Sequence, residues 1–159
     1  MASGPSEMIL LSAGLIVAAL VSGLLLETWS DMDDVLDDRG KHGMEDVRTR
    51  GSLVNDPMNI SWDNANHNAT LYIQNSGDTF LDKSSLGVFL NGTSMSVTAA
   101  QPSTFWLPGQ IEKFTIEDPA GALIFTGSND LMLTFSVSSD STEYSGSHTL
   151  TKEVRVLGG

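Results

Sequence analysis

The stretch that decides the architecture is EMILLSAGLIVAALVSGLLL, Glu7–Leu26, in which one carboxylate is followed by nineteen uncharged, mostly apolar residues. A helix needs roughly 20 such residues to cross the hydrocarbon core of a bilayer. The residues before Glu7 include no Lys or Arg, whereas a secretory signal has a basic n-region and a shorter apolar run. Removal by the prepilin route also normally needs a basic leader. We therefore expect a membrane helix that is retained in the mature protein.

The composition of the whole chain excludes several classes of function. Eight Lys and Arg residues stand against 20 Asp and Glu residues, and the net charge of -12 argues against binding to nucleic-acid phosphates. Because the chain has no cysteine, disulfide scaffolds, thiol nucleophiles and cysteine metal sites are excluded. The three histidines, His42, His67 and His148, are far apart and lack the spacing of metal ligands. We expect no catalytic residue, no metal and no cofactor, and hence no enzyme.

Small residues recur at four-residue spacing within the apolar helix. Gly14, Ala18 and Ser22 form one such series, and Ala19 and Gly23 form a second. In lipid, small residues at this spacing allow the backbones of two helices to approach closely. We therefore predict that this helix packs against another helix through these five positions.

Glu7 has two interpretations. Pro5 suits a first helical turn, and a carboxylate just after it complements the positive end of the helix dipole. In pilins, by contrast, a carboxylate near the helix start neutralises the terminal amine of a neighbouring subunit. The dipole interpretation is favoured here, and Glu7 remains a candidate residue of assembly.

The helix is expected to continue beyond the membrane as a stalk. An apolar stripe with aspartates at the other positions runs on through Trp29, Met32, Val35 and Leu36. We expect Gly40 and Gly43 to end this helix, which gives a first domain of residues 1–42, a pilin-like membrane helix with its stalk. The acidic run after the apolar segment favours a single pass through the cytoplasmic membrane, with the N-terminus inside.

Three N-glycosylation sequons fit a location of the remaining chain outside the membrane. Their acceptor residues are Asn59, Asn68 and Asn91, each followed two positions later by Ser or Thr. A chain this rich in Asn, Ser and Thr would contain one or two sequons by chance, so they support the outward placement without deciding it.

Residues 46–159 alternate with the two-residue period of β-strands. Strands are expected at 70–74, 86–90, 95–99, 111–116, 131–137 and 150–156, separated by turns rich in Gly, Asn and Pro. Asn91-Gly92 is typical of a tight hairpin turn. The spacing predicts an antiparallel, immunoglobulin-like β-sandwich, and the whole chain therefore belongs to the α+β class. The large core side chains are expected to be Trp62, Tyr72, Phe89, Trp106, Phe114 and Phe135.

Several short motifs resemble the G stator protein of the archaellum, the archaeal swimming motor. They are the start MASxxSEMI, the segment LVNDPMNI (Leu53–Ile60), the strand and turn LYIQNSGDTFL (Leu71–Leu81), and the later turns VFLNG (Val88–Gly92) and WLPGQ (Trp106–Gln110). The resemblance covers residues 1–118. The related F stator protein shares the sandwich and several of these turns, while the Ser-Glu start and the Asn-Asp-Pro segment favour the G protein.

The resemblance implies a structural component of the motility machinery that links the motor to the cell envelope. The β-domain would lie in the pseudo-periplasm and meet the F-type stator protein and, directly or indirectly, the surface-layer protein. Self-association into oligomers or filaments, by strand addition at a sandwich edge, is compatible with such a fold.

Three other functions compete with the stator. The first is a pilin- or archaellin-like subunit of an extracellular filament, which has the same layout of helix and β-domain. The second is a surface-anchored binding module in which Trp62 or Trp106 is exposed as a carbohydrate platform. An enzyme is the most distant of the three.

Overall fold

The computed structural model describes residues 3–159. The chain divides into two compact units, Met1–Gly40 and Lys41–Gly159. A single helix, α1, runs from Ser3 to Arg48. Eight strands and a 3-10 helix at Lys83–Ser85 follow it. The strands are β1 Gly51–Leu53, β2 Ile60–Asp63, β3 Asn68–Asn75, β4 Gly87–Leu90, β5 Thr93–Ala99, β6 Ile111–Glu117, β7 Gly127–Ser138 and β8 Ser147–Gly158.

Helix α1 is 46 residues long and continues through both glycines that were expected to end it. The prediction that Gly40 and Gly43 terminate the helix is therefore wrong. A glycine in a helix interior costs only about 1 kcal/mol relative to alanine, and tertiary contacts of the following turns can offset that cost. The helix instead ends at Arg48, and the next residue, Thr49, is buried and donates to the Glu45 carbonyl from its amide at 2.9 Å and from its hydroxyl at 2.6 Å.

The β-domain is one closed sheet rather than an immunoglobulin-like sandwich, and the sandwich prediction is wrong in this respect. The strand order is β1-β3-β2-β8-β7-β4-β5-β6, and β3 also pairs with β6, so that the sheet closes on itself. The closing ladder runs from Asn68↔Glu117 to Gln74↔Ile111. Strands β1 and β2 pair with β3 at its two ends, and β2 runs parallel to β8. Alternation in the sequence shows that each strand has a buried face. It does not show whether that face packs against a second sheet, as in a sandwich, or against the opposite strands of the same closed sheet, as in a barrel.

The six strands expected from the sequence are all present, and two short strands were not predicted. Strands β1 and β2 have only three and four residues, which is too short for an alternating pattern to be distinctive. The hairpin at Asn91-Gly92 is confirmed, because both residues have positive φ, 52° and 83°. Positive φ at both central positions is the geometry of the tight turn that the Asn-Gly pair favours.

The core contains four of the six large aromatic residues that were expected there. Trp62, Trp106, Phe114 and Phe135 are fully buried. Tyr72 and Phe89 are each 41% exposed, so the prediction was wrong for these two. Each of them stands in a strand between two buried aliphatic neighbours, and because side chains alternate between the two faces of a strand, the aromatic residue must point outward.

A buried ion pair links the 3-10 helix to strand β6. The Lys83 Nζ lies 2.9 Å from Glu112 Oε1, and both side chains are only 5% exposed. The ammonium also donates to the Gln101 carbonyl at 2.9 Å and to Thr104 Oγ1 at 2.6 Å. Glu112 Oε1 in turn accepts from Gln110 Nε2 at 2.7 Å. The two charges are thus paired and hydrogen-bonded, which is the condition under which a protein interior tolerates them.

Candidate functional site

The apolar part of helix α1 is exposed along its length within the described residues 3–159. Its large aliphatic residues between Met8 and Leu26 are all at least half exposed. The most apolar 18-residue window has a mean hydropathy of 2.6, and none of that window is buried by the rest of the chain. By length and composition the helix can cross a membrane. An apolar surface of this extent is unstable in water, so lipid or other helices must cover it.

The small residues predicted as a packing surface are all exposed on this helix. Gly14 and Gly23 have open space around them, because a Cβ added to either would have no contacting atom within 4 Å. At 100° per residue, the Gly14, Ala18 and Ser22 series and the Ala19 and Gly23 pair form two neighbouring stripes rather than one. The helix therefore offers two adjacent surfaces at which another backbone can approach closely.

Glu7 lies in the second turn of α1, since the described helix begins at Ser3. No acidic residue occupies the first turn. The helix-dipole effect falls off within that first turn, so Glu7 gains less from the dipole than its position near Pro5 suggested. Its side chain is exposed at the edge of the apolar segment.

The stalk part of α1 combines exposed apolar and acidic residues. Trp29, Met32 and Leu36 line a shallow groove along the helix, next to Asp33. Within residues 3–159, no group of three or more His, Cys, Asp or Glu side chains is arranged to hold a metal ion.

At the last turn of α1, the backbone passes so close to Gly77 and Gly146 of the β-domain that neither position has room for a side chain. We call this set of contacts the clamp. A Cβ on Gly77 would lie 1.9 Å from the Arg48 carbonyl oxygen, and one on Gly146 would lie 2.4 Å from the Glu45 carbonyl oxygen. Neither glycine has positive φ, so both are required by space and not by backbone conformation. The Arg48 carbonyl also accepts from the Asp78 amide at 3.1 Å.

Side chains of the same turn complete the clamp. Glu45 Oε1 accepts from Thr79 Oγ1 at 2.9 Å, and Asp46 Oδ1 accepts from the Ser147 amide at 2.8 Å. One turn earlier, His42 packs edge-on against the Tyr144 ring, with 5.3 Å between ring centroids. Sequence reasoning missed the clamp because its partners are about 30 and 100 residues apart; the turn Asn75-Ser-Gly-Asp78 was the only local signal.

The three sequons lie at the surface of the β-domain. Asn59 is exposed and Asn68 is half-buried, and both line one shallow depression on the outer side of β2 and β3. Asn91 is exposed at the tip of the β4–β5 hairpin. Two of the acceptor residues, Asn59 and Asn91, are thus exposed, and Asn68 is partly accessible.

The loop after β6 is organised by a buried carboxylate. Asp118 accepts backbone N–H bonds from Leu123 at 2.8 Å, from Ala122 at 2.7 Å and from Ala120 at 3.1 Å. These hydrogen bonds lower the pKa of Asp118, and the bond from the Leu123 amide contributes most. Burial opposes the shift. His67 bonds the Leu123 carbonyl through Nδ1 at 3.1 Å in the same loop. Asp118 thus holds residues 120–123, and Asn64 holds Phe125 through two hydrogen bonds of 2.7 and 2.9 Å.

Neither tryptophan of the alternative binding module is available to a ligand. Trp62 and Trp106 are both fully buried, and the carbohydrate-platform hypothesis is therefore wrong. Trp106 donates its indole N–H to the Gln110 carbonyl at 3.0 Å and packs on Phe114.

Comparison with protein families decides between the remaining alternatives. The family model described as archaeal-type flagellin matches residues 2–154, which include both the apolar helix and nearly all of the β-domain. The chain belongs to the archaeal-type flagellin family. Flagellins of this family are structural proteins that assemble into filaments, and they are not enzymes.

This match corrects the stator interpretation. The motifs that resembled the G stator protein are short, and the helix-plus-β layout is common to stator proteins and filament subunits. An archaeal-type flagellin is a filament subunit and not a stator, so the alternative function is the one that the family supports.

Other comparisons add little. No curated protein matches the chain. Among solved structures, the chain is similar to AggA, the major subunit of aggregative adherence fimbriae type I from Escherichia coli, with 12% identity and a TM-score of 0.33 over 70% of this chain and 97% of AggA. A score that low carries no argument about this archaeal-type flagellin.

Proposed function

We propose that this archaeal-type flagellin is a structural subunit of an extracellular filament of the archaeal motility machinery. The observation that carries the proposal is the continuous family match over residues 2–154, since it includes the helix and the β-domain together. The exposed apolar surface of Met8–Leu26 supports the proposal, because a filament subunit uses such a surface first in the membrane and then in the filament. Lipid covers the helix before assembly, and the helices of other copies cover it in the filament.

In this proposal the two parts of the chain have separate roles. Residues 1–42 anchor the subunit in the cytoplasmic membrane with the N-terminus inside, and residues 46–159 lie on the outer side. Gly14, Ala18, Ala19, Ser22 and Gly23 are the positions at which neighbouring helices approach. Glu7 lies at the end of that apolar surface, where a charge from a neighbouring copy can pair with it.

Asn59, Asn68 and Asn91 are proposed as N-glycosylation sites of the outer domain. Their surface positions support this, since an acceptor amide must reach the modifying enzyme. The F-type stator protein and the surface-layer protein entered only through the resemblance to stators, and they form no part of this proposal. Self-association is the interaction that the family supports.

The test is assembly of the purified full-length chain after removal of detergent, followed by electron microscopy and sedimentation. We expect filaments above a critical concentration. Replacing both Gly14 and Gly23 by Leu should raise that concentration at least ten-fold, because two side chains would separate the helix backbones. Replacing Leu10 and Leu24 by Ile is the matched control on the same helix and should change it less than two-fold. Monomers at every concentration would overturn the proposal.

A further inference from the structure

One part of the outer surface of the closed sheet carries no charge. Two rows of outward residues cross strands β4, β7 and β8, and the pairings are Phe89↔Thr134↔Thr151 and Gly87↔Ser136↔Thr149. We call these six residues the hydroxyl face. All six are uncharged in a chain with 20 acidic and 8 basic residues. Glu153, which pairs with Met132 one step further along the strands, marks the border of the face.

The hydroxyl groups of this face already bond to one another. Thr134 Oγ1 lies 3.0 Å from Thr151 Oγ1, and Thr149 Oγ1 donates to Ser136 Oγ at 3.1 Å. When such a face is covered, each pair keeps its mutual hydrogen bond and only its remaining bonds to water are lost. Covering a surface with unpaired carboxylates would be far more expensive, because charged groups lose their hydration.

Two large apolar side chains lie in and next to the hydroxyl face. Phe89 is 41% exposed, and Met132, its diagonal neighbour across the β4–β7 ladder, is 45% exposed. Aromatic residues and methionine are enriched in the cores of protein interfaces, whereas charged residues are depleted there. Gly87, two residues before Phe89 on the same face of β4, has no side chain, and a Cβ there would meet no atom within 4 Å.

The net charge of the chain favours a second copy of the chain as the partner that binds the hydroxyl face. Two copies each carry a charge of -12 and repel one another, so contact between copies is least costly where neither surface contributes a carboxylate. Closure of the sheet through β3 and β6 also pairs both sides of β3, which removes the strand-addition route that a sandwich edge would offer there. Resting on the proposed filament function, we infer that the hydroxyl face is a contact surface between copies of this chain in the filament.

The absence of cysteine from the chain makes a direct test possible. Thr151→Cys places one thiol on the hydroxyl face, and Thr98→Cys places one at a comparably exposed, outward position of β5 outside it. Both full-length variants are labelled with a maleimide, first dispersed in detergent and then as assembled filaments. We expect assembly to slow labelling of Thr151→Cys at least ten-fold and of Thr98→Cys less than two-fold.

Equal slowing of both variants on assembly, with filaments intact, would overturn the inference while the proposed function stands. Slowing of Thr151→Cys in lipid vesicles without assembly would also overturn it, because the face would then bind membrane. Failure of the unmodified chain to assemble would remove the proposed function and this inference together.

A charged substitution gives an independent measurement. Thr134→Glu puts a carboxylate at the centre of the hydroxyl face, and Thr115→Glu puts one at a similarly half-buried, outward position of β6. We expect the concentration for half-assembly to rise at least ten-fold for Thr134→Glu and less than two-fold for Thr115→Glu, with unchanged far-UV circular dichroism in both. Equal effects would contradict the inference.

Discussion

Replacement of Gly77 by alanine tests whether the clamp between the last turn of α1 and the β-domain is as tight as the structure shows. The new Cβ would lie 1.9 Å from the Arg48 carbonyl oxygen and 2.9 Å from the Arg50 amide nitrogen. Both obstacles are backbone atoms, which cannot rotate away. To reach 3.0 Å, the shortest distance that real Cβ contacts show, the carbonyl must move by about 1.1 Å.

The movement also breaks hydrogen bonds. The Arg48 carbonyl accepts from the Asp78 amide at 3.1 Å, and the Ser76 amide donates to the Arg50 carbonyl at 3.0 Å. Overpacking of a tight site costs about 1–3 kcal/mol, and one lost backbone hydrogen bond adds about 1 kcal/mol. The unfolded state of the alanine variant has less entropy, which offsets the cost by roughly 0.5 kcal/mol. We expect Gly77→Ala to lower the free energy of unfolding by about 1.5–3.5 kcal/mol.

The assay is urea unfolding of the full-length chain in detergent, followed by tryptophan fluorescence of the buried Trp62 and Trp106. Gly87→Ala is the matched control, because a Cβ at Gly87 meets nothing within 4 Å and its φ is not positive. We expect the control to unfold within about 0.5 kcal/mol of the unmodified chain. If Gly77→Ala were as stable as Gly87→Ala, the close approach to Arg48 would not exist in the folded protein and the reasoning would fail.

Three further predictions concern the interior and the loop of the β-domain. Glu112→Ala should destabilise the domain by about 3–5 kcal/mol in urea unfolding, because the buried Lys83 ammonium loses its partner; an effect below 1 kcal/mol would show that water reaches this site. Because folding lowers the pKa of Asp118 below its ordinary value of 3.8, its stabilisation is complete above that value and is lost as the pH falls through the lower, folded-state pKa. Asp118→Asn should therefore flatten the loss of stability on acidification below about pH 4, measured by thermal unfolding. Phe114→Ala should cost about 3–5 kcal/mol and Phe89→Ala less than about 1.5 kcal/mol, and comparable losses would contradict the assigned strand faces.

Local features of the domain were predictable because their causes lie within a few residues. The alternation of Leu131, Leu133, Phe135 and Val137 predicts both strand β7 and its buried face, and the structure confirms both. The turn at Asn91-Gly92 is specified by two residues that tolerate positive φ. The closure of the sheet was not predictable in this way, because the pairing of β3 with β6 depends on register between segments some 40 residues apart.

The extent of the helix shows the same limit. Gly40 and Gly43 are local signals for a helix end, and they were outweighed by contacts of Glu45, Asp46 and Arg48 with residues that follow much later in the chain. The assignment to the stator proteins was also wrong for a physical reason. Stator proteins and filament subunits share the layout of a membrane helix followed by a β-domain. Short turn motifs depend on the fold of that domain and carry little information about the proteins it binds.

The closed sheet restricts how this flagellin can assemble. Its two candidate contact surfaces are the apolar helix and the hydroxyl face. A sandwich with open edges can polymerise through backbone hydrogen bonds, but strand β3 here pairs with β6 along one side and with β1 and β2 at the two ends of the other. With the β3 edge occupied, the contacts proposed here between copies use side chains, on the apolar helix and on the outer surface of the domain. Two surfaces that act independently predict that Gly14→Leu and Thr134→Glu should have additive effects on the free energy of assembly. A double effect well below the sum of two substantial single effects would contradict independent surfaces, and a single variant that assembles like the unmodified chain would show that its surface is not in contact in the filament.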